Sequence, residues 1–205
     1  MVGLVYKIFK LLVEGYQILM ANWIVIEGDN GTGKDTLAEQ VKTLGYDIVT
    51  YTKEAKSAEM KARALNGEER LLSFLEYNRL CGSMAAFANN PSLLVRYWLS
   101  TMAAAYADQL WSREKMNEQV IRCIDQFPVP NLIIQIKCEL STRRTRVAMR
   151  GNSGDNMCME RDKNYGWALD EMRKHFPSWE SVDTTHLSPP EVFQAVQGIL
   201  KRRGL

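Results

Sequence analysis

The chain of 205 residues has few of the side chains that build metal centres or disulfide scaffolds. It contains only two histidines, and its four cysteines never approach a C-x-x-C spacing. A Cys/His zinc site is therefore not expected, and scattered cysteines are typical of a reducing compartment, here the cytoplasm. A net charge of only +2 favours neither a nucleic-acid partner nor an anionic membrane surface.

Long apolar runs are also missing. The first twenty residues are apolar, but Lys7, Lys10 and Glu14 interrupt them, so no stretch approaches the roughly 18 residues that a membrane span needs. Two interpretations stay open for this segment: an amphipathic helix on the surface or on a partner, or an extension upstream of the real start. We favour the second, and predict residues 1–19 as an extension and residues 20–205 as a single domain.

Beyond residue 20, short apolar strands alternate with helical periods. Continuous apolar strands separated by helices indicate an α/β fold with a parallel sheet covered on both faces, and ligands then bind beyond the carboxyl ends of the strands. The predicted strands are Trp23–Glu27, Tyr46–Tyr51, Ser92–Tyr97, Asn131–Lys137 and Ser181–Asp183. The predicted helices are Thr36–Leu44, Lys56 to about Ala88 with a break near Gly67, Ser100–Gln126, Ser141–Met149, Asp162–His175, and a last helix that begins at the capping box Ser188–Glu191.

A glycine-rich loop follows the first strand directly. It has the P-loop arrangement, with glycines at the first and sixth positions and a lysine after the second of these glycines. Backbone N–H groups and the helix amino end converge on phosphate oxygens, and the lysine adds a full positive charge. We predict that the following residues bind nucleotide phosphate and that the lysine also acts in catalysis: Gly28, Asp29, Asn30, Gly31, Thr32, Gly33, Lys34, Asp35 and Thr36.

One position departs from this motif. The residue after the lysine is normally Ser or Thr, whose hydroxyl binds magnesium; here it is Asp35, and Thr36 comes one residue late. Two interpretations stay open. The carboxylate stabilises the first helical turn through the helix dipole, by about 0.3–1 kcal/mol, or Asp35 itself faces Mg²⁺ as an oxygen ligand.

From this loop onward the sequence resembles the thymidylate kinases, whose pattern is a strand followed by EGxDGxGKST. Further matches occur in the family's order and cover the chain from about Asn22 to its end. They are TKEA at 52–55 for the family's TREP, FLEYNR at 74–79 for F-x-A-x-R, RYWLS at 96–100 for D-R-Y-x-x-S, and VD at 182–183 with SPPEV at 188–192 for the closing pattern.

The resemblance implies a three-layer P-loop kinase fold with a lid at about residues 150–161, and a homodimer. It implies transfer of the γ-phosphate of ATP, with Mg²⁺, to the 5′-phosphate of a deoxynucleoside monophosphate, with dTMP as the family default. Catalysis of this transfer is mostly positioning and charge neutralisation.

The resemblance also implies roles for side chains outside the loop. It implies that Arg79 and Arg96 hold the acceptor phosphate, that Glu54, Phe74, Ser100 and Tyr106 contact the substrate, that Arg146 packs against adenine, and that Arg96, Arg150 and Arg161 act on the transferring phosphoryl group. Each residue has a plain alternative: the arginines as surface charges and the aromatic residues as core.

The sequence departs from the family pattern at two further positions, so the resemblance does not determine which nucleotide is the acceptor or how fast the transfer is. Val95 stands where the family has the aspartate before R-Y, and Asn30 where it has the P-loop aspartate. The site thus loses a carboxylate at position 95 and gains one at position 35, which leads to the hypothesis that Asp35 takes over part of the metal binding. Two alternatives remain: a deoxynucleoside kinase with Glu54 as general base, and a P-loop protein with degraded catalysis.

Overall fold

The structure is a computed structural model that describes residues 22–49, 57, 59–61, 64–151 and 159–205. Residues 1–19, Glu54 and most of the predicted lid lie outside the described residues, and the predicted extension, single domain and lid stay predictions.

Five strands and seven helices have defined bounds within the described ranges, and residues 57, 59–61 and 64 are helical as well. The strands are β1 (Trp23–Glu27), β2 (Asp47–Ile48), β3 (Ser92–Val95), β4 (Leu132–Lys137) and β5 (Trp179–Asp183). The helices are α1 (Lys34–Lys42), α2 (Gly67–Ala86), α3 (Trp98–Ala107), α4 (Arg113–Gln126), α5 (Leu140–Ala148), α6 (Met159–Arg173) and α7 (Pro189–Arg203).

The strands form one parallel sheet in the order β2-β3-β1-β4-β5. β1 lies at the centre, where Val25 is opposite Leu94 of β3 on one side and Ile133 of β4 on the other. Because all strands are parallel, the loops after β1, β3 and β4 leave the sheet at the same edge. This edge is where an open α/β sheet binds its ligands.

Each face of the sheet buries its own apolar cluster, because successive strand residues point to opposite faces. Trp23 and Val25 pack with residues of α2, α3, α4 and α6. Ile24 and Ile26 pack on the other face with residues of α1 and α7. The predicted three-layer α/β fold is confirmed.

The predicted helix Ser100–Gln126 is wrong as a single element. The chain forms α3 and α4 instead, because Gln109 adopts a left-handed backbone with φ of 57° between them. Ser112 then begins α4, and its hydroxyl oxygen accepts a hydrogen bond from the backbone N–H of Lys115 at 3.2 Å. Because the apolar residues continue across this break, the sequence pattern predicted one helix instead of two.

The strand ends differ from the prediction as well. β3 ends at Val95 rather than Tyr97, because Arg96 adopts a left-handed backbone with φ of 69°.

The capping box before α7 is confirmed: the Glu191 carboxylate accepts the backbone N–H of Ser188 at 2.7 Å. Within the described ranges, no helix has the length and apolar character that crossing a membrane requires.

Candidate active site

The P-loop connects β1 to α1 and lies tightly against its neighbours. Gly28 has φ of 144°, and a Cβ atom there would lie 2.5 Å from the carbonyl oxygen of Ile136. Gly31 has φ of 79°, and a Cβ atom there would lie 2.8 Å from the carbonyl oxygen of Arg143. Only glycine satisfies both the backbone conformation and the close approach, so these two positions shape the loop.

Lys34 begins α1 with its side chain buried in the loop. Its ammonium group donates to the Asp29 carbonyl oxygen at 2.6 Å and contacts the Thr32 hydroxyl at 3.4 Å. Burial, followed by the nearby Arg96, lowers the pKa of Lys34 to about 7. A polyanion in the loop would favour the charged form of this lysine.

Two cavities flank the first turns of α1. The first has a volume of about 220 Å³ and lies between α1, α5 and the start of α7. The second, of about 210 Å³, lies between α1, α2 and the end of β3. Described residues lining the first are Thr32, Gly33, Thr36, Leu37, Gln40, Arg146, Arg150, Thr184, Leu187, Pro189 and Val192. The second is lined by Asp35, Ala38, Glu39, Ile48, Val49, Tyr77, Cys81, Leu94, Val95 and Arg96.

Arg146 and Arg150 occupy one wall of the first cavity. The Arg146 guanidinium donates to the Thr184 carbonyl oxygen at 2.8 Å and to its hydroxyl at 3.1 Å. These two hydrogen bonds hold the guanidinium opposite the apolar residues of α1 and α7. Arg150 is exposed at the same cavity.

Arg96 is the cation of the second cavity. Its Nη2 donates to the Asn30 side-chain oxygen at 2.6 Å, so it is joined directly to the P-loop. Asp35 and Val95 line the same cavity. The loop position after the lysine and the position before the arginine, which both depart from the family pattern, therefore lie at one site.

Glu27 lies at the end of β1 and is completely buried. Its carboxylate accepts the backbone N–H of Tyr97 at 2.8 Å and the hydroxyl of Ser100. Burial raises the pKa of Glu27 to about 7, although the Ser100 hydrogen bond and Arg96 act in the opposite direction.

The Asp29 carboxylate joins the loop to both helices that border the predicted lid. Arg143 of α5 donates to it at 2.9 Å, and Arg161 of α6 at 3.2 Å. Arg143 is fully buried and also pairs with Asp162, whereas Arg161 pairs with Asp108 at 2.8 Å. Burial opposes the charge on Asp29, but the Asn30 N–H and the two arginines keep its pKa below the usual value.

Several predicted substrate residues are not brought to the second cavity. Arg79 pairs with Glu76 at 2.7 Å on the exposed face of α2. Tyr77 and Cys81, one turn apart, line the cavity. Arg79 lies between them in sequence and about 200° around the helix from either, because each residue advances about 100°, so its side chain is directed away from the cavity.

The predicted aromatic contacts are packing contacts in this structure. The Tyr106 ring lies 4.8 Å from the Trp167 ring, between α3 and α6. Phe74 packs edge-to-face on Tyr77 at 6.4 Å. Ser100 is buried and hydrogen-bonds Glu27 rather than lining the cavity. The plain alternative from the sequence, aromatic residues as core, describes Tyr106 best.

Three buried residues that contact the site were not predicted from the sequence. Glu27, Arg143 and Tyr165 are all buried within it. The sequence could have indicated the role of Glu27, because an acidic residue at the end of an otherwise apolar strand, next to a P-loop, is unusual for a core position. Arg143 looked like one of several arginines on a solvated helix face, and nothing in its neighbourhood predicted burial.

The fold and the loop together have the arrangement of a P-loop protein: the central strand of a parallel α/β sheet runs into a glycine-rich loop, which is followed by Lys34 and helix α1. No protein-family model matches the chain, and no curated protein sequence matches it significantly.

Solved structures do match. A thymidylate kinase from Candida albicans superposes with a TM-score of 0.66 at 16% identity, covering 90% of this chain and 93% of that one. A deoxyadenosine kinase from M. mycoides with bound dATP superposes with a TM-score of 0.62 at 17% identity, covering 87% and 99%. The same kinase with dCMP and dCDP bound gives 0.62 at 17% identity, covering 88% and 99%. The thymidylate-kinase-like fold predicted from the motifs is confirmed.

Proposed function

We propose that this chain is an ATP-dependent kinase of deoxynucleoside monophosphates, with dTMP as the first acceptor to test. The observation that carries the proposal is the pair of cavities on opposite sides of α1. Thr36 lines one and Asp35, its neighbour, lines the other. Two nucleotides bound there would direct their phosphates toward the same helix amino end, the arrangement that direct phosphoryl transfer needs.

The first cavity suits the donor nucleotide. Its apolar residues and the fixed Arg146 guanidinium provide two faces for a flat base, since arginine stacks well on aromatic rings. The P-loop residues Thr32 and Gly33 line this cavity, and Lys34 follows them at the start of α1, so the loop amides would bind the phosphates there. Arg150, exposed at its rim, would reach the phosphates from the lid side together with Arg161.

The second cavity suits the acceptor. Arg96 lies between it and the P-loop, and a guanidinium binds phosphate oxygens with two parallel hydrogen bonds. Apolar side chains such as Val49 and Leu94 would cover the sugar and base. In this proposal Arg96 holds the acceptor phosphate and neutralises charge during transfer.

Asp35 is the residue that would hold Mg²⁺. Asp35 is exposed and lines the second cavity, as does Val95, and Mg²⁺ is commonly bound by one or two carboxylates together with phosphate oxygens and water. Among the described residues, no group of three His, Cys, Asp or Glu side chains could hold a metal ion without other ligands. When bound, Mg²⁺ supplies neutralisation of phosphate charge.

A second candidate is a deoxynucleoside kinase that acts on the free nucleoside. The position of Arg79 favours it, because the second cavity then has Arg96 as its cation among the described residues, and an uncharged acceptor needs fewer cations. The deoxyadenosine kinase likeness in fold is compatible with either reaction. The candidate general base, Glu54, lies outside the described residues.

The deciding experiment is a coupled assay of ADP formation with Mg-ATP. It compares dTMP, the other common nucleoside monophosphates, thymidine and deoxyadenosine, with the Lys34→Met variant as the control for contaminating kinases. We expect turnover with a deoxynucleoside monophosphate and none in the variant. Turnover with nucleosides alone would establish the second candidate, and ATP binding without turnover on any acceptor would indicate a degraded site.

A further inference from the structure

Glu27 contacts the start of α3, directly after the point where β3 ends. Its carboxylate accepts the Tyr97 N–H at 2.8 Å and the hydroxyl of Ser100, in the first turn of α3. The preceding N–H, of Arg96, donates to the Ile26 carbonyl oxygen at 2.9 Å. Two consecutive backbone groups of the turn are therefore fixed by the end of β1.

Arg96 needs this support because its backbone is strained. A φ of 69° places it in the left-handed region, which costs a residue with a Cβ atom about 1–2 kcal/mol. Such a conformation persists only where the surroundings determine it, and it is typical of functional sites. Here the determining contacts come from Glu27 and Ile26.

The Arg96 side chain is held by the same group. Its Nη1 lies 3.4 Å from the Tyr165 hydroxyl and 3.5 Å from that of Ser100. The Tyr165 hydroxyl donates to Ser100 at 3.1 Å, and Ser100 donates to Glu27. The hydroxyl protons thus point toward the buried carboxylate, which leaves oxygen lone pairs for the guanidinium.

We propose that Glu27 is a positioning residue: acting through Ser100, Tyr165 and the Tyr97 N–H, it fixes Arg96 at the acceptor cavity. The proposal rests on the proposed function, which assigns the acceptor phosphate to Arg96. Glu27 lines neither of the two cavities among the described residues, so its effect on the acceptor passes through Arg96.

The test measures binding of dTMP in the presence of ADP, and of ADP alone, by calorimetry, together with the melting temperature. If the screen finds another deoxynucleoside monophosphate that binds more tightly, that nucleotide replaces dTMP. The variants are Ser100→Ala, Glu27→Leu and Glu27→Gln. Thr101→Ala is the matched control, because Thr101 is the next residue of α3 and its hydroxyl bonds Asn78 at 2.8 Å, outside this group.

Ser100→Ala and Glu27→Leu are expected to weaken dTMP binding about tenfold or more, the range for losing a hydrogen bond to a charged group. ADP binding should change less than about threefold, since it depends on the loop. Glu27→Gln should lose less affinity than Glu27→Leu: its amide oxygen can still accept the Tyr97 N–H, but its amide NH₂ would donate to Ser100 and so reverse the direction of that hydrogen bond. In turnover, the acceptor KM should rise while the KM for ATP stays constant.

Unchanged dTMP affinity in Ser100→Ala and Glu27→Leu would overturn the proposal, and so would an equal loss of ADP affinity. If Glu27→Leu does not fold, Ser100→Ala and Tyr165→Phe decide the question. Wild-type binding without turnover would refute the proposed reaction, while the variants would still test the positioning of Arg96 through binding.

Discussion

Asp35 and Val95 are two positions where the carboxylates differ from the thymidylate kinase pattern, and both line the second cavity. Each alone is a weak deviation in the sequence. At one site, the carboxylate gained at position 35 lies beside the position where one is missing. The metal hypothesis is therefore geometrically consistent, and it makes a direct prediction.

We expect Asp35→Ala to raise the Mg²⁺ concentration for half-maximal turnover about tenfold or more, comparable to the loss of groups that support a metal site. Asp35→Ser should retain part of the wild-type response, because its hydroxyl can bind the ion as in the common motif. Titration of Mg²⁺ at fixed ATP measures this. The control is Asp125→Ala, an exposed carboxylate on α4. If both Asp35 variants keep the wild-type Mg²⁺ dependence, the hypothesis fails.

Gly28 illustrates a residue whose role is steric. Gly28→Ala should destabilise the fold by about 1–3 kcal/mol, because the new methyl group meets the Ile136 carbonyl oxygen at 2.5 Å. Gly166→Ala is the matched control, since nothing lies within 4 Å of a Cβ atom there; it should stabilise α6 by up to about 1 kcal/mol. Chemical denaturation checks both, and equal effects would contradict the steric explanation.

Helices α5 and α6 are connected to the P-loop through the buried Arg143. Its guanidinium pairs with Asp29 and Asp162 and also donates to the carbonyl oxygens of Asn30 and Cys138. Both helices that border the predicted lid therefore contact the second residue of the loop. Arg161 of α6 adds a second ion pair to the same Asp29 carboxylate.

Arg143→Met should lower the free energy of unfolding by about 1–3 kcal/mol, because the buried Asp29 carboxylate keeps Arg161 but loses Arg143, and the carbonyl oxygens of Asn30 and Cys138 lose a donor. It should also weaken ATP binding, since the loop loses its support at Asn30. Arg203→Met, which removes an exposed pair with Glu180, should cost at most about 1 kcal/mol. Denaturant titration of both variants measures the difference; similar losses would mean that Arg143 contributes no more than a surface ion pair.

The stability of the whole molecule should depend on pH through Glu27. Its pKa in the folded protein is about 7, above the ordinary glutamate value near 4.3. Between these values the folded state binds more protons than the unfolded state, so this group lowers stability as pH rises through the window. Its charged form is buried beside Lys34 and Arg96, which reduce this effect without reversing it.

Glu27→Gln removes that titration. The free energy of unfolding of the variant minus that of the wild type should therefore increase from pH 5 to pH 8, measured by urea denaturation at each pH. Lys34, whose pKa is also about 7, is coupled to Glu27, so the difference reports Glu27 together with its effect on Lys34. A difference that stays constant or decreases with pH would contradict the raised pKa.

Much of the architecture follows from local pattern. The first strand was predicted to the residue, because five apolar-rich positions run straight into a P-loop, and the start of α7 followed from its capping box. The break between α3 and α4 escaped because a left-handed residue such as Gln109 carries no glycine or proline signal. The spacing around Arg79 resembles the family pattern, but spacing alone does not determine which face of α2 meets the sheet, and the role predicted for Arg79 stays a prediction.

Local chemistry alone thus dictates the phosphate loop: glycines permit its backbone, and Lys34 with a helix amino end supplies its charge within nine consecutive residues. Tertiary packing decides what surrounds it. Ser100 and Glu27 are 73 positions apart, and Arg143 and Asp29 are 114 apart. No short-range spacing encodes such pairs. They meet because parallel strands end at one edge of the sheet, and because polar groups that are buried there need hydrogen-bond partners from other elements.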